Sequence, residues 1–115
     1  MTAPKTPLAG LRVLDISSVL AGPNCARYLA DFGADVIKVE RPDGGDSLRS
    51  IAWKDPRDGV ALWWKFANRN KRCIALDLKN DDDRTVFLHL VDEANRDGGW
   101  GRGSRGRWLA GGGGD

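Results

Sequence analysis

Basic side chains at the ends of short apolar runs are the first feature of this sequence with chemical consequence. Arg41 follows Asp35-Val36-Ile37-Lys38-Val39-Glu40, and Lys79 follows Ile74-Ala75-Leu76-Asp77-Leu78. If these runs are parallel strands, both cations stand at carboxyl ends, where open α/β sheets bind their ligands. The planar fork of an arginine suits a phosphate, and a lysine can pair with one as a point charge. The plainer reading of Arg41 is a solvated turn residue. Lys71 and Arg72, just before the third run, are either surface charge or a further phosphate contact.

Several rival chemistries are weaker. Glu40 ends the second run, where a dinucleotide enzyme places an acid against a ribose hydroxyl. The turn after the first run would then read Gly-x-Gly-x-x-Gly, but it is Ser18-Val19-Leu20-Ala21-Gly22-Pro23. Pro23 also removes an N–H from the helix end that would face a pyrophosphate. A phosphate-binding loop ending in Gly-Lys-Ser/Thr is absent from the sequence. Asp15 reads as a hydrogen-bonding residue near the first turn rather than a catalytic carboxylate. His89 falls on the solvated face of a helix. Cys25 reads as helix core and Cys73 as part of a strand, and neither has a histidine near it in sequence to activate it. Asp81, Asp82 and Asp83 are consecutive and cannot all face one ion from a helix, so they read as a cap and no metal site is expected. Trp63 and Trp64 read as packing.

The elements that must position these residues alternate strand and helix. Residues 11–17 form an apolar run behind Gly10 and read as a buried strand. Pro23 suits the first turn of a helix. Cys25, Leu29 and Phe32 then recur at helical spacing beside Ala26 and Ala30, and Gly33 is a natural stop. Residues 35–40 read as a second strand, so the expected unit is strand–helix–strand with a right-handed crossover. Residues 41–46 are a turn-rich loop, residues 47–60 show no period, and residues 61–68 suggest a short helix. Ile74, Leu76 and Leu78 alternate as a third strand. Asn80 or the aspartates after it can cap a helix carrying Val86, Phe87, Leu90, Val91 and Ala94 on one stripe.

A further strand should follow that helix, but the composition breaks. Residues 1–94 hold 14 Lys+Arg and 14 Asp+Glu, whereas residues 95–115 hold four Arg, two Asp and nine of the 15 glycines. With only Trp100, Trp108, Leu109 and Ala110 to bury, that segment is expected to be disordered. It is either a floppy tail or the product of an interrupted reading frame, and we favour the second. Glycine, arginine and tryptophan are what out-of-frame G/C-rich DNA encodes, and a one-base shift at residues 95–98 permits an apolar strand. The expected organisation is an incomplete domain over residues 1–94 and a frameshifted tail over 95–115. An overall charge of +2 carries no nucleic-acid signal, and no apolar run is long enough to span a membrane. Residues 1–7 do not read as a secretion signal, and two cysteines make no disulfide framework, so a cytoplasmic protein is expected.

Four ordered blocks carry a resemblance to a known family. They are residues 14–23, residues 29–42, Gly44-Gly45-Asp46, and residues 68–79. Together they resemble the N-terminal part of the family III CoA-transferases, which include formyl-CoA transferase, carnitine CoA-transferase and alpha-methylacyl-CoA racemase. The resemblance covers about residues 7–94. It implies an α/β fold, the front half of a Rossmann-like CoA-binding domain with a partial parallel sheet. It implies coenzyme A contacts from Leu20 and Ala21, from Arg41, and from Leu76, Asp77, Leu78 and Lys79, with no metal. It further implies transfer of CoA between carboxylic acids through a catalytic aspartate, at a position beyond these residues, so no catalytic residue is expected here. Full-length members form interlocked homodimers, which this chain alone could not build.

The resulting expectation is a family III CoA-transferase present as an N-terminal part, inactive alone. An acyl-CoA racemase, or a CoA-binding subunit completed by a second chain, are the alternatives; a non-functional fragment that folds poorly is the last. Two or three parallel strands would leave an open edge and a bare second face, favouring aggregation.

Overall fold

The computed structural model describes residues 6–97 and 108–109. Four parallel strands make one sheet in the order β3-β2-β1-β4, with β1 Arg12–Asp15, β2 Asp35–Glu40, β3 Arg72–Ala75 and β4 Trp108–Leu109. Helix α1 (Ala21–Asp31) joins β1 to β2, and α2 (Leu62–Ala67) lies between β2 and β3. Helix α3 (Asp81–Asp97) follows β3.

Alternation along the strands sorts the sheet into two faces. Val13 and Val36 pack with Ala26 and Ala30 of α1, whose small side chains let helix and sheet approach closely. Leu14 and Ile37 point the other way and pack with Phe87, Leu90, Val91 and Ala94 of α3. Helix α3 therefore covers the second face over β1 and β2, where a bare face was expected, while β3 at the edge stays mostly exposed. The stripe expected on α3 is seated except for Val86, which is 44% exposed.

Local chemistry sets the ends of these elements. Gly33 has φ +104°, and α1 closes with Gly33 N–H donating to Ala30 O (3.0 Å) and Ala34 N–H to Leu29 O (3.0 Å). This paired arrangement satisfies the last free carbonyls of the helix. Asn80 Oδ1 caps α3, accepting from Asp82 N (3.0 Å) and Asp83 N (3.1 Å).

Some expectations change. The third strand ends at Ala75. Leu76 keeps one sheet bond, its N–H donating to Glu40 O (2.9 Å), while Leu78 lies beyond in a turn. Cys25 and Phe32 are exposed because the buried side of α1 belongs to the alanines. Residues 47–60 contain a 3₁₀ turn (Ser47–Ser50) and a bridge between Lys54 and Ala61. Two pieces of the segment read as a disordered tail are described. Asn95, Arg96 and Asp97 continue α3, and β4 pairs parallel with β1 through Leu14↔Trp108 and Asp15↔Leu109. The rest of that expectation lies outside the described residues.

Candidate functional site

The carboxyl ends of β1, β2 and β3 border a cavity of about 610 Å³. Ile16, Val39 and Leu76 contribute apolar walls, and Arg41, Asp77, Leu78 and Lys79 complete the lining with Glu40, Pro42 and Asp43. Five of the seven residues singled out for coenzyme A thus share one cavity. A neighbouring cavity of about 530 Å³ also includes Arg41 and reaches Ser17, Ser18 and Val19 on one side and Gly45, Asp46 and Ser47 on the other. Leu20 and Ala21 lie at the start of α1 and line neither cavity.

Each wall has a local cause. Arg41 is exposed, and its Nη2 donates to Gly45 O (3.2 Å), which holds the side chain beside the loop after β2. Asp77 organises the turn after β3, its Oδ1 accepting from Lys79 N (3.0 Å) and its N–H donating to Asp83 Oδ2 (2.8 Å). The Lys79 side chain is left exposed on the cavity. The amino end of α3 is no anion site, since Asn80 caps it and three aspartates fill its first turn. The arrangement supplies an anion with two exposed side-chain cations beside apolar walls.

Behind these walls lies a buried ionic assembly. Lys38 is 0% exposed in the middle of the sheet; its Nζ donates to Asp46 Oδ2 (3.0 Å) and Ser17 O (3.1 Å). Asp46 Oδ1 accepts from Val19 N (2.9 Å) and Leu48 N (3.0 Å). Burial pushes the Asp46 carboxyl up, but the Leu48 and Val19 amides and Lys38 outweigh it and hold it below its ordinary value. Glu40 accepts both nitrogens of the Arg49 fork at 2.7 Å and the Asp46 amide at 2.9 Å. Burial raises its carboxyl too, and Arg49 and that amide bring it below the usual range. Arg49 stacks over the Trp64 ring at 3.8 Å. Gly45, at φ +68°, leaves no room for a Cβ beside Glu40.

Three sequence readings are corrected or sharpened here. Lys71 is no phosphate contact: its side chain is fully buried and donates to Asp15 Oδ2 (2.7 Å), Pro23 O (2.8 Å) and Asn68 Oδ1 (2.8 Å), using all three N–H bonds. Arg72 turns its fork to Asp35, with bonds of 3.0 and 2.7 Å. Glu40 is committed to Arg49 rather than facing a ribose. Asp15 behaves as expected, bonding Ser17 N (2.9 Å) and Oγ at the turn as well as Lys71. Lys38, Asp46 and Arg49 were not singled out from sequence. The available signal is the charge of Lys38 and Glu40 alternating with Ile37 and Val39 in a strand that also starts on Asp35.

Among the described residues, no group of three or more His, Cys, Asp or Glu side chains could hold a metal ion, and no helix is long and apolar enough to cross a membrane.

Comparison with known proteins places this geometry. The model of CoA-transferase family III matches residues 8–95. The chain is 46% identical over 90 residues to the succinyl-CoA–L-malate CoA-transferase beta subunit of Chloroflexus aurantiacus, covering 78% of this chain and 22% of that protein. It is also 46% identical over 90 residues to a formyl-CoA:oxalate CoA-transferase of Escherichia coli, covering 78% of this chain and 21% of the relative. A CAIB/BAIF family protein from Brucella suis superposes with a TM-score of 0.72 at 38% identity, over 79% of this chain and 25% of that one. The match spans less than a quarter of the curated relatives just named, yet it runs from before β1 to the body of α3 and includes every cavity wall described above. On that match, the chain belongs to CoA-transferase family III.

Proposed function

We propose that this chain supplies coenzyme A contacts for a transferase that moves CoA between carboxylic acids. The observation that carries the reading is the placement of two exposed cations, Arg41 and Lys79, on one cavity at the carboxyl ends of parallel strands. Phosphates of CoA would pair with the two cations, and the Ile16, Val39 and Leu76 walls would take its less polar parts. The names of the relatives favour transfer over racemisation, since they are succinyl-CoA and formyl-CoA transferases.

The 115 residues by themselves are proposed to transfer no CoA, because the catalytic aspartate implied by the family lies outside the matched segment. Activity then requires further polypeptide, whether in a longer product or in a companion chain of different sequence. Two of the relatives are named as the beta and alpha subunits of succinyl-CoA–L-malate CoA-transferase, and each contains its own segment similar to this chain, at 46% and 38% identity. We place the protein in the cytosol, in keeping with its two free, exposed thiols, Cys25 and Cys73.

Calorimetric titration of the purified chain with CoA tests the reading. Binding is expected, and Arg41→Ala should weaken it about tenfold, or ~1.4 kcal/mol, while the melting temperature stays the same. Folded protein that takes up no CoA, or an Arg41→Ala variant of parental affinity, would overturn the assignment.

A further inference from the structure

We propose that Lys38 and Asp46 act as a positioning clamp that fixes the two loops flanking Arg41, and so sets the shape of the anion site. This rests on the CoA-binding reading and deepens it. Neither side chain needs to touch the ligand.

The geometry is that of a staple. Lys38 leaves the middle of β2 and reaches both Ser17 O, in the turn after β1, and Asp46 Oδ2, in the loop after β2. Asp46 returns the tie, accepting from Val19 N in the first loop and from Leu48 N in its own. Both charges are out of water, with side-chain exposures of 0% and 1%. Their satisfaction depends on the two loops staying together, because the loop backbones provide the remaining partners.

Val19 gives independent support. It has φ +66°, a left-handed conformation that a β-branched residue adopts only when its surroundings impose it. It is 41% exposed, so core packing does not hold it there. The hydrogen bond from its amide to Asp46 is a direct restraint on that conformation. The next link reaches the ligand side. Asp46 adjoins Gly45, whose carbonyl accepts from Arg41, and the Asp46 amide is itself fixed by Glu40. A loop displaced at Asp46 would move the acceptor that aims Arg41.

The test uses the full chain and two paired variants. Lys38→Met with Asp46→Ala removes both charges together, so no buried ion is left alone, and also removes the acceptor for Val19. Lys38→Met with Asp46→Asn removes the same charges but keeps an Oδ1 acceptor. The first should bind CoA more than tenfold more weakly, with fast hydrogen exchange at the Val19 amide and unchanged protection at Leu14 and Ile37. The second should recover most of the affinity and the Val19 protection. A merely structural pair would lower the melting temperature of both variants and leave affinity per folded molecule unchanged, which would overturn the clamp. In the parent chain, Val19 should exchange as slowly as Leu48. Free exchange there overturns the proposal even if the first variant does not fold. If the parent binds no CoA, the functional reading fails separately, and the exchange rates alone decide the clamp.

Discussion

Lys71 and Lys79 flank the same strand, and the structure gives them opposite work. Lys71 is buried against Asp15, and burial, only partly offset by that carboxylate, lowers its pKa. Lys79 is exposed on the cavity. Lys71→Ala leaves Asp15 buried without its partner and should cost roughly 3–5 kcal/mol in a urea melt. Lys79→Ala should change stability by less than about 0.5 kcal/mol and weaken CoA binding several-fold by calorimetry. Sequence could not separate the two, because each is a basic residue at the end of an apolar run. What distinguishes them is the fold of Asn68 and the α1 turn around one and not the other. Glu40 and Asp46 sit below their ordinary carboxyl values when folded. Their contribution is fully present above the unfolded range, near pH 4, and is lost as pH falls through the folded values. Urea unfolding across that range should show stability falling with acid, and less steeply in the Asp46→Asn variant.

Elements built on periodicity were legible, whereas those built on side-chain ties were not. The apolar stripe of α3 and the β-branched Val36, Ile37 and Val39 of β2 announce themselves, because one repeats at helical spacing and the others mark a strand buried on both faces. Residues 47–60 gave no pattern because aspartates organise them. Asp46 caps the 3₁₀ turn through Leu48 N, and Asp55 gathers Arg57 Nη2 at 2.6 Å and Lys65 Nζ at 2.8 Å. β3 was read too long because Leu76 and Leu78 keep the alternation after the ladder has ended. The stop at Gly33, legible in sequence, has a measurable consequence. An alanine there would carry φ +104° and crowd Thr6. Gly33→Ala should therefore destabilise the chain by more than about 1 kcal/mol, or several degrees in melting temperature.

In the whole molecule, α1 and α3 cover opposite faces of the central strands β1 and β2, and the loops at one end of the sheet become the site. The architecture and family were readable from four ordered blocks, and five expected ligand contacts meet at one cavity. The ionic assembly behind that cavity was not readable, since it depends on which charges the sheet buries. We propose the cavity at the strand ends as the place where CoA binds. Backbone amide resonances followed during CoA titration of the isotope-labelled chain test it most directly. The shifts should cluster at Ile16, Arg41, Asp43 and Leu76 to Lys79, and spare α2. A folded chain whose shifts do not move, or move mainly on α2 and the outer face of α1, would rule out CoA binding at the strand ends.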